Sequence, residues 1–308
     1  MFQNIITIVS EAADMANIER MQDFSEVVHY ENPDIPLYIR TSNLSIYPDM
    51  SAPCHWHDDI EWIHIVKGCM CYYINGKHLM LYENDSIMVN ARQMHYGYSY
   101  EKQDCHYLCI LFHPSLFGNN QALLQKYITP IIKNDRLEYL YFDSNEEEGK
   151  KICEFLTQII WLKEQSQDGY EMEVIALMQI LWAKLLQSKK LLPMQEGQQM
   201  KDDLKLQNDM VSFLYQHYNE KITLEEIAAA GHISRSKCCR IFKHYLQQSP
   251  ISFLNTYRLK VSCNLLDSTD KSITEIAFAC GFNHLSYFSK NFYNHYGCTP
   301  REYREKKE

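Results

Sequence analysis

Four side chains, His55, His57, Glu61 and His95, have the types and spacing to hold a ligand through their lone pairs. Side chains alternate across an extended strand, so His55 and His57 fall on one face, and Glu61 joins them if the strand is unbroken. Three imidazoles and a carboxylate suit a borderline divalent ion such as Zn, Mn, Fe or Ni. The same groups can instead hydrogen-bond a polar small molecule, or one another. Trp56 and Tyr72 lie in the same segment, where aromatic residues can stack on a sugar ring or simply pack within the sheet, the use that β-propensity favours. The residues alone leave both uses open. A second set has different chemistry. Ser234, Arg235, Ser236, Lys237 and Arg240 form one group, and Asn283, His284, Ser286, Tyr287 and Lys290 form another. Short hydroxyls with Arg, Lys and Asn at the start of a helix suit the base edges and phosphates of a DNA major groove.

The elements that position the second set are written twice. Thr223 with Glu226 and Ser272 with Glu275, 49 positions on, are capping boxes ahead of short apolar helices. Ile222 and Ile227 flank the first box as a hydrophobic staple. Gly231 and Gly281 supply the turns, where a positive φ is cheapest without a Cβ. Ser234 and Asn283 then cap the second helix of each copy. Beyond these caps the offset becomes 50, Phe242 matching Phe292, which places one extra residue early in the second helix of the second copy. Ile233, Cys238, Ile241 and Phe242, and in the other copy Phe282, Leu285, Phe288 and Phe292, are the inward faces. These are two helix-turn-helix units, at 223–245 and 272–296. Ser249-Pro250 opens a helix between them, with an apolar stripe at Leu254, Tyr257, Val261 and Leu265. Thr299-Pro300 with Glu302 opens a last helix in the same way.

Together Arg258-Leu259, Leu265-Leu266, Ile276-Ala277, Gly281-Phe282, Tyr287-Phe288, Phe292, Gly297, Thr299-Pro300 and Tyr303-Arg304 resemble the AraC/XylS family of transcription regulators. The resemblance covers about the last 85 residues. It implies one domain whose two reading helices enter successive major grooves on one face of double-stranded DNA. The departures are Ser262, where the family usually has Ala, and a short turn before Ser234.

The chain of 308 residues is long enough for two domains with separate cores. Its net charge of −9 is unevenly spread: residues 205–308 hold 14 Lys and Arg against 10 Asp and Glu, and residues 1–204 hold 16 against 29. Attraction to phosphate acts over a Debye length of about 8–10 Å, so the local balance governs and the acidic half stays off DNA. No apolar run reaches membrane-spanning length, and the first residues carry acids early and lack a basic start, so neither a membrane span nor a signal peptide is expected. Eleven cysteines without a C-x-x-C pair fit a cytoplasmic protein with reduced thiols.

Before the helical repeat, residues 38–112 are short alternating runs rich in Ile, Tyr and Val, with Asn75-Gly76 as a hairpin turn, so a barrel or jelly roll is expected. Residues 24–30 form a strand or an arm. The spacing of His55, His57, Glu61 and Gly68, with His95 further on, resembles the cupin pattern. Asp49 and Asn84 stand where that pattern has glycines, and Asn90 where it has a proline. His64, His78 and His106 fit no ligand spacing and read as surface or structural. Residues 119–188 are helical by periodicity, with one stripe at Ile152, Phe155, Leu156, Ile159 and Ile160 and another at Met172, Ile175, Met178, Leu181, Trp182 and Leu185. They either cover the sheet or, as the family resemblance implies, form a dimer interface. Residues 189–205 read as a linker, followed by a first helix at 208–218.

The fold class expected is α+β with two domains. Residues 1–200 form a cupin-like sensor, including the helical dimerisation region at 119–188, and residues 206–308 form an all-α double helix-turn-helix domain. The function expected is a cytoplasmic, ligand-responsive regulator that is not an enzyme. Its partners would be promoter or operator DNA, a small-molecule effector that includes carbohydrates among its candidates, a second copy of the chain, and RNA polymerase if it activates. No cofactor is required, and His55, His57, Glu61 and His95 are the residues for a metal if one binds. The competing reading is a metal-dependent cupin isomerase or dioxygenase fused to a DNA-binding domain.

Overall fold

The computed structural model describes residues 26–305 except 27, 33, 119, 135 and 189–198. The expected arm or strand at 24–30 lies partly outside the described residues, as does the linker at 189–205. Chain contacts divide the protein into two units. The first holds residues 26–45 and 54–188, and the second holds 46–53 and 199–305.

The first unit is built on two antiparallel sheets. β1 (Leu37–Asn43), β7 (His106–Phe112), β2 (Ile60–Lys67), β5 (Ser86–Val89) and β8 (Tyr139–Phe142) form one, in that spatial order. β4 (Lys77–Tyr82), β3 (Cys69–Ile74) and β6 (His95–Ser99) form the other. Asn75 (φ 46°) and Gly76 (φ 92°) make the expected hairpin between β3 and β4, since a tight turn of this kind needs positive φ at both central residues. The sheets meet face to face, with Tyr72 on β3 donating to Glu61 on β2. Among the described residues no pairing closes them into a continuous barrel, so the jelly-roll expectation holds as a two-sheet sandwich. Asp49 and Asn84, at the positions where the cupin pattern has glycine, have φ of 58° and 70°. Asp and Asn tolerate this left-handed conformation better than other side chains, so the backbone keeps the glycine turn without the glycine.

β2 alternates between two cores. Ile60 and Trp62 face two helices, α1 (Glu147–Gln165) and α2 (Tyr170–Gln187), while Glu61 faces the small sheet. Ile152, Leu156, Ile159, Met178, Leu181 and Trp182 cover the larger sheet, and Trp62 stacks on Phe142. Met172, expected in the inward stripe of α2, is 77% exposed. The region read as wholly helical also contains β8. Its four residues are too few to break the helical periodicity around them, but pairing with β5 fixes them as strand.

The second unit is helical: α3 (Gln199–Gln216), α4 (Leu224–Ala230), α5 (Arg235–Leu246), α6 (Pro250–Ser268), α7 (Ile273–Ala279), α8 (Leu285–Tyr296) and α9 (Pro300–Glu305). Residues 199–205, read as linker, form the first turns of α3. Both capping boxes are formed, by Thr223 with Glu226 and by Ser272 with Glu275, and Ser249 and Thr299 cap α6 and α9. α6 lies between the helix-turn-helix units. It therefore buries Phe253, Leu254, Leu259, Cys263 and Leu266 over more of its surface than the single stripe expected, and Tyr257, Val261 and Leu265 are only half-buried. Arg258 on α6 donates to the Tyr218 and Glu220 carbonyls at 2.6 Å and lies over the Phe282 ring.

Four local expectations are corrected. Gly231 has φ −89°, and the left-handed turn residue is His232 (φ 51°), which corresponds to Gly281 (φ 80°). α5 begins three residues after His232 and α8 four after Gly281, so the extra residue of the second copy lies in the turn and not in the helix. The cap of α8 is accordingly His284, not Asn283, and its side chain makes no capping bond. Leu285, expected inward, is 37% exposed. At Gly281 a Cβ would sit 2.6 Å from the Tyr218 carbonyl oxygen, so glycine is required by space as well as by φ.

No described helix is long and apolar enough to cross a membrane, and none of the eleven cysteines is in a disulfide.

His64 is buried on β2, 2.9 Å from Ser86 Oγ, and burial outweighs the carbonyl and charge of Asp85 to push its pKa down to about 4. The unfolded chain binds this proton near pH 6.5. Stability from the neutral imidazole is therefore complete above pH 6.5 and is lost as pH falls towards 4, by about 3 kcal/mol in all. Trp56, Trp62, Trp161 and Trp182 all lie in the first unit, so tryptophan fluorescence reads its unfolding alone. Denaturant midpoints measured from pH 7 to 4 should fall less steeply in His64→Gln than in the wild type.

Candidate functional site

The four residues singled out by spacing converge. Glu61 projects from β2 between the sheets, and His95 opens β6. His55 and His95 exchange both backbone hydrogen bonds, at 3.1 and 2.9 Å, which brings the segment before β2 alongside β6. His57 Nε2 and His95 Nε2 lie 3.0 and 2.9 Å from Glu61 Oε2, and His55 Nε2 lies 4.0 Å from it. One donor atom from each of the four residues lies within 4.8 Å of every other. His57, Glu61 and His95 are almost sealed from solvent, and solvent reaches the cluster at His55.

The outer nitrogens of two imidazoles are also fixed. His57 Nδ1 is 3.0 Å from the Asp59 carbonyl and His95 Nδ1 is 2.7 Å from that of Gln93. A carbonyl accepts only, so each Nδ1 carries the hydrogen and each Nε2 is left to face the Glu61 carboxylate. A bare lone pair cannot face a carboxylate at 3 Å; a proton or another cation must lie between them. For His57 the proton is held firmly. Burial acts to lower its pKa, but the hydrogen bond and charge of Glu61 outweigh burial and raise it to about 9. Burial likewise acts to raise the pKa of Glu61, and the His95 charge and the imidazole hydrogen bonds hold it well below the ordinary carboxylate range. The Tyr72 hydroxyl closes the set by donating to Glu61 Oε1 at 2.6 Å.

Three participants were not anticipated from sequence. Glu26 sits 3.2 Å from His55 Nε2, tied in by its own N–H to the Trp56 carbonyl, and brings a second carboxylate to the cluster. Cys109 on β7 is close enough for the Glu61 and Glu26 charges to add to burial in pushing its thiol pKa well above the usual value. Asp59, whose carbonyl orients His57, accepts from the Tyr30 hydroxyl at 2.5 Å. Glu26 and Cys109 come from distant stretches of chain, the first through its backbone bond to Trp56 and the second through the register of β7 on β2, whereas Asp59 lies in the same stretch as His57 and Glu61. Of the expected aromatics, Tyr72 stands at the cluster with its ring stacked 6.1 Å from that of His95, and Trp56 is buried between the two histidines in sequence. Trp62 belongs to the helix-facing core. Tyr73, Tyr96 and Tyr98 form an aromatic row with His78, which is bonded to Tyr98. His64 is structural and His106 is exposed.

The second set lies on the helical unit as two patches. On α5, Arg235, Ser236 and Arg240 are exposed, and Ser234 caps the helix by accepting from the Lys237 N–H. Arg235 pairs with Glu225 at 2.5 Å, and Lys237 with Asp203 of α3 at 2.9 Å. On the second copy Asn283, His284, Ser286, Tyr287 and Lys290 are exposed, with the Tyr287 hydroxyl accepting from Asn255 of α6. Phe242 and Cys238 on α5, and Phe288 and Phe292 on α8, are buried behind these patches and fix their orientation.

Comparison with known proteins matches both units. The family described as an AraC-like ligand binding domain matches residues 45–181, and one described as a helix-turn-helix domain matches 227–306. The HTH-type transcriptional regulator YdeC of Bacillus subtilis (strain 168) is 30% identical over 291 residues, 94% of this chain and 99% of that one. The HTH-type transcriptional activator RhaS of Salmonella typhimurium (strain LT2) is 26% identical over 262 residues, 84% of this chain and 89% of its own. Among solved structures, an AraC-type transcriptional regulator from Chromobacterium violaceum is 34% identical over 33% of this chain and 91% of its own, with a TM-score of 0.32. With a sensor-type sheet unit, a double helix-turn-helix and a relative matched over nearly its whole length, the chain belongs to the AraC family of transcriptional regulators.

Proposed function

We propose that this regulator binds a small polar effector at the His55, His57, Glu61 and His95 cluster and reads DNA with both patches, at the starts of α5 and α8. The observation that carries the reading is the pairing of two capped helix-turn-helix units with a sheet unit whose inner face holds a buried carboxylate among three imidazoles. The donor set also fits a divalent ion. Two imidazoles have Nδ1 committed to carbonyls and Nε2 turned inward, the second-sphere arrangement that metal-binding histidines use. His55, His57, Glu61 and His95 would hold the ion, which would supply a Lewis-acidic anchor for effector hydroxyl or carboxylate oxygens. Tyr72 and Cys109 would line the ligand's other side, and a carbohydrate is one effector class that suits this mixture of hydroxyl, carboxylate and aromatic faces. In this reading the site binds its ligand without turnover, in the cytoplasm. Coupling to DNA requires only that the effector bind one arrangement of the protein better than another.

The protein would act as a homodimer. Trp161 on α1 and Ile180 on α2 are exposed at 55% and 44%, on helices whose opposite faces already cover the sheet. If the regulator activates, RNA polymerase is a further partner.

Selection of bound sites from random duplex DNA by the full-length protein should enrich two short elements about one helical turn apart. On the selected site, Lys237→Ala and Arg240→Ala should each weaken binding by about 1–3 kcal/mol where the side chain reads a base. A uniform loss across sequences with a shallower salt dependence would instead assign that side chain to phosphate. Wild-type affinity in both variants would remove α5 from the interface.

Titration calorimetry with Zn²⁺ should show one binding event per chain, lost in His57→Ala and in Glu61→Gln. Saturation at 100 times Kd should stabilise the first unit by about 2.7 kcal/mol, read by tryptophan fluorescence. Binding that persists in both variants would place the ion elsewhere.

A further inference from the structure

Lys237, on the reading helix α5, does not stand free. Its ammonium lies 2.9 Å from Asp203 Oδ1, an oxygen that is sealed from solvent and off the line of a well-formed hydrogen bond. The Lys237 side chain is 33% exposed, and that of Asp203 21%. One turn along α3 from Asp203, Gln207 is fully buried and neither atom of its amide finds a hydrogen-bond partner. The Asp203–Lys237 contact is therefore partly buried and short of a well-formed hydrogen bond, on a stretch of α3 whose polar groups are incompletely satisfied, which makes it a contact held at a cost and open to exchange. A DNA phosphate offers the Lys237 ammonium a better partner: a full negative charge with several acceptor oxygens. Asp203 is also the fifth residue of α3, whose first residue, Gln199, is where the chain enters the helical unit.

We propose that Asp203 is an autoinhibitory counter-ion which occupies Lys237 in the free protein and sets the DNA affinity of the first reading helix. The inference rests on Lys237 being a DNA-contacting residue, as proposed above. DNA binding then exchanges the Asp203 contact for a phosphate contact. Any change in the first turns of α3 that withdraws Asp203 strengthens DNA binding with no change in α5. The Glu225–Arg235 pair supplies the contrast. Both of its side chains are more than 60% exposed, so solvent already screens it and its removal should matter little.

The test uses the full-length protein and the duplex sites recovered by selection, with affinities measured by fluorescence anisotropy over a range of salt concentrations. Asp203→Asn should bind about fivefold more tightly than wild type, with a salt dependence steeper by about one released ion. Glu225→Gln, which removes the same charge nearby, should stay within about twofold of wild type. In a Lys237→Ala background, Asp203→Asn should have no effect. Because Asn is isosteric with Asp, folding is checked by thermal melting, and Asp203→Ala provides a second variant. If Lys237→Ala alone binds like wild type, Lys237 is not a DNA contact and the proposal falls, whatever the standing of the rest of α5. If Lys237→Ala is weakened but Asp203→Asn and Asp203→Ala bind no more tightly than wild type, the autoinhibitory role fails. An equal gain from Asp203→Asn in the Lys237→Ala background would reduce Asp203 to a general repulsive charge and overturn the proposal.

Discussion

Everything in the sheet unit is arranged around one costly group, the carboxylate of Glu61. It lies on the central strand of the larger sheet and is almost fully buried. An ionised carboxylate stripped of water and left unpaired costs several kcal/mol, more than a domain of ordinary stability can spare. The strands around it supply the compensation: two imidazoles at about 3 Å, a third at 4.0 Å and a phenol at 2.6 Å. His55 reaches the cluster because its backbone pairs with His95, and Tyr72 because β3 packs over β2. The pairing of the two sheets and the chemistry of the site are one arrangement seen at two scales.

What was legible in the sequence was local. His55 and His57 share a face because the strand period is two, and the capping boxes at Thr223 and Ser272 are complete within four residues. Glu26 was not legible, because it meets His55 through a backbone bond to Trp56, between stretches about 30 residues apart in the chain. Cys109 reaches the site by the register of β7 on β2, which no short window contains. The error at the second reading helix is of the same kind. Asn283 is a good cap by residue type, but the positive φ of Gly281 and the close approach of Tyr218 fix where the turn begins, and the helix starts after His284. Likewise β8 is strand only because β5 lies beside it. The overall architecture survived these slips because family-specific residues such as Arg258 and Gly281 mark long-range contacts that propensity cannot express.

Charge explains how an acidic protein can carry a DNA-reading unit. The excess of acid falls in the first 204 residues, and screening confines its influence to about a Debye length. On the helical unit the arginines divide by exposure. Arg235 and Arg240 stand at the surface, and Arg258 is buried as a tie between α6, the end of α3 and the turn before α8. Position along a helix, and not residue type, separates an exposed arginine from a structural one.

Glu61 and Arg258 meet the same difficulty, a charge removed from water, in opposite ways. Arg258 is satisfied by two backbone carbonyls and an aromatic face, groups that neither titrate nor exchange, so the link it makes between the two halves of the reading unit is permanent. Glu61 is satisfied by imidazoles, which can gain or lose a proton and can turn the same Nε2 lone pair to a metal or a ligand. A buried charge with fixed partners makes a rigid part. A buried charge with exchangeable partners makes a part whose energy depends on what else is bound, and this is the property an effector site needs if occupancy is to alter the protein's conformational equilibrium. The division of labour between the two units is thus already present in the kind of partner each gives its buried ion.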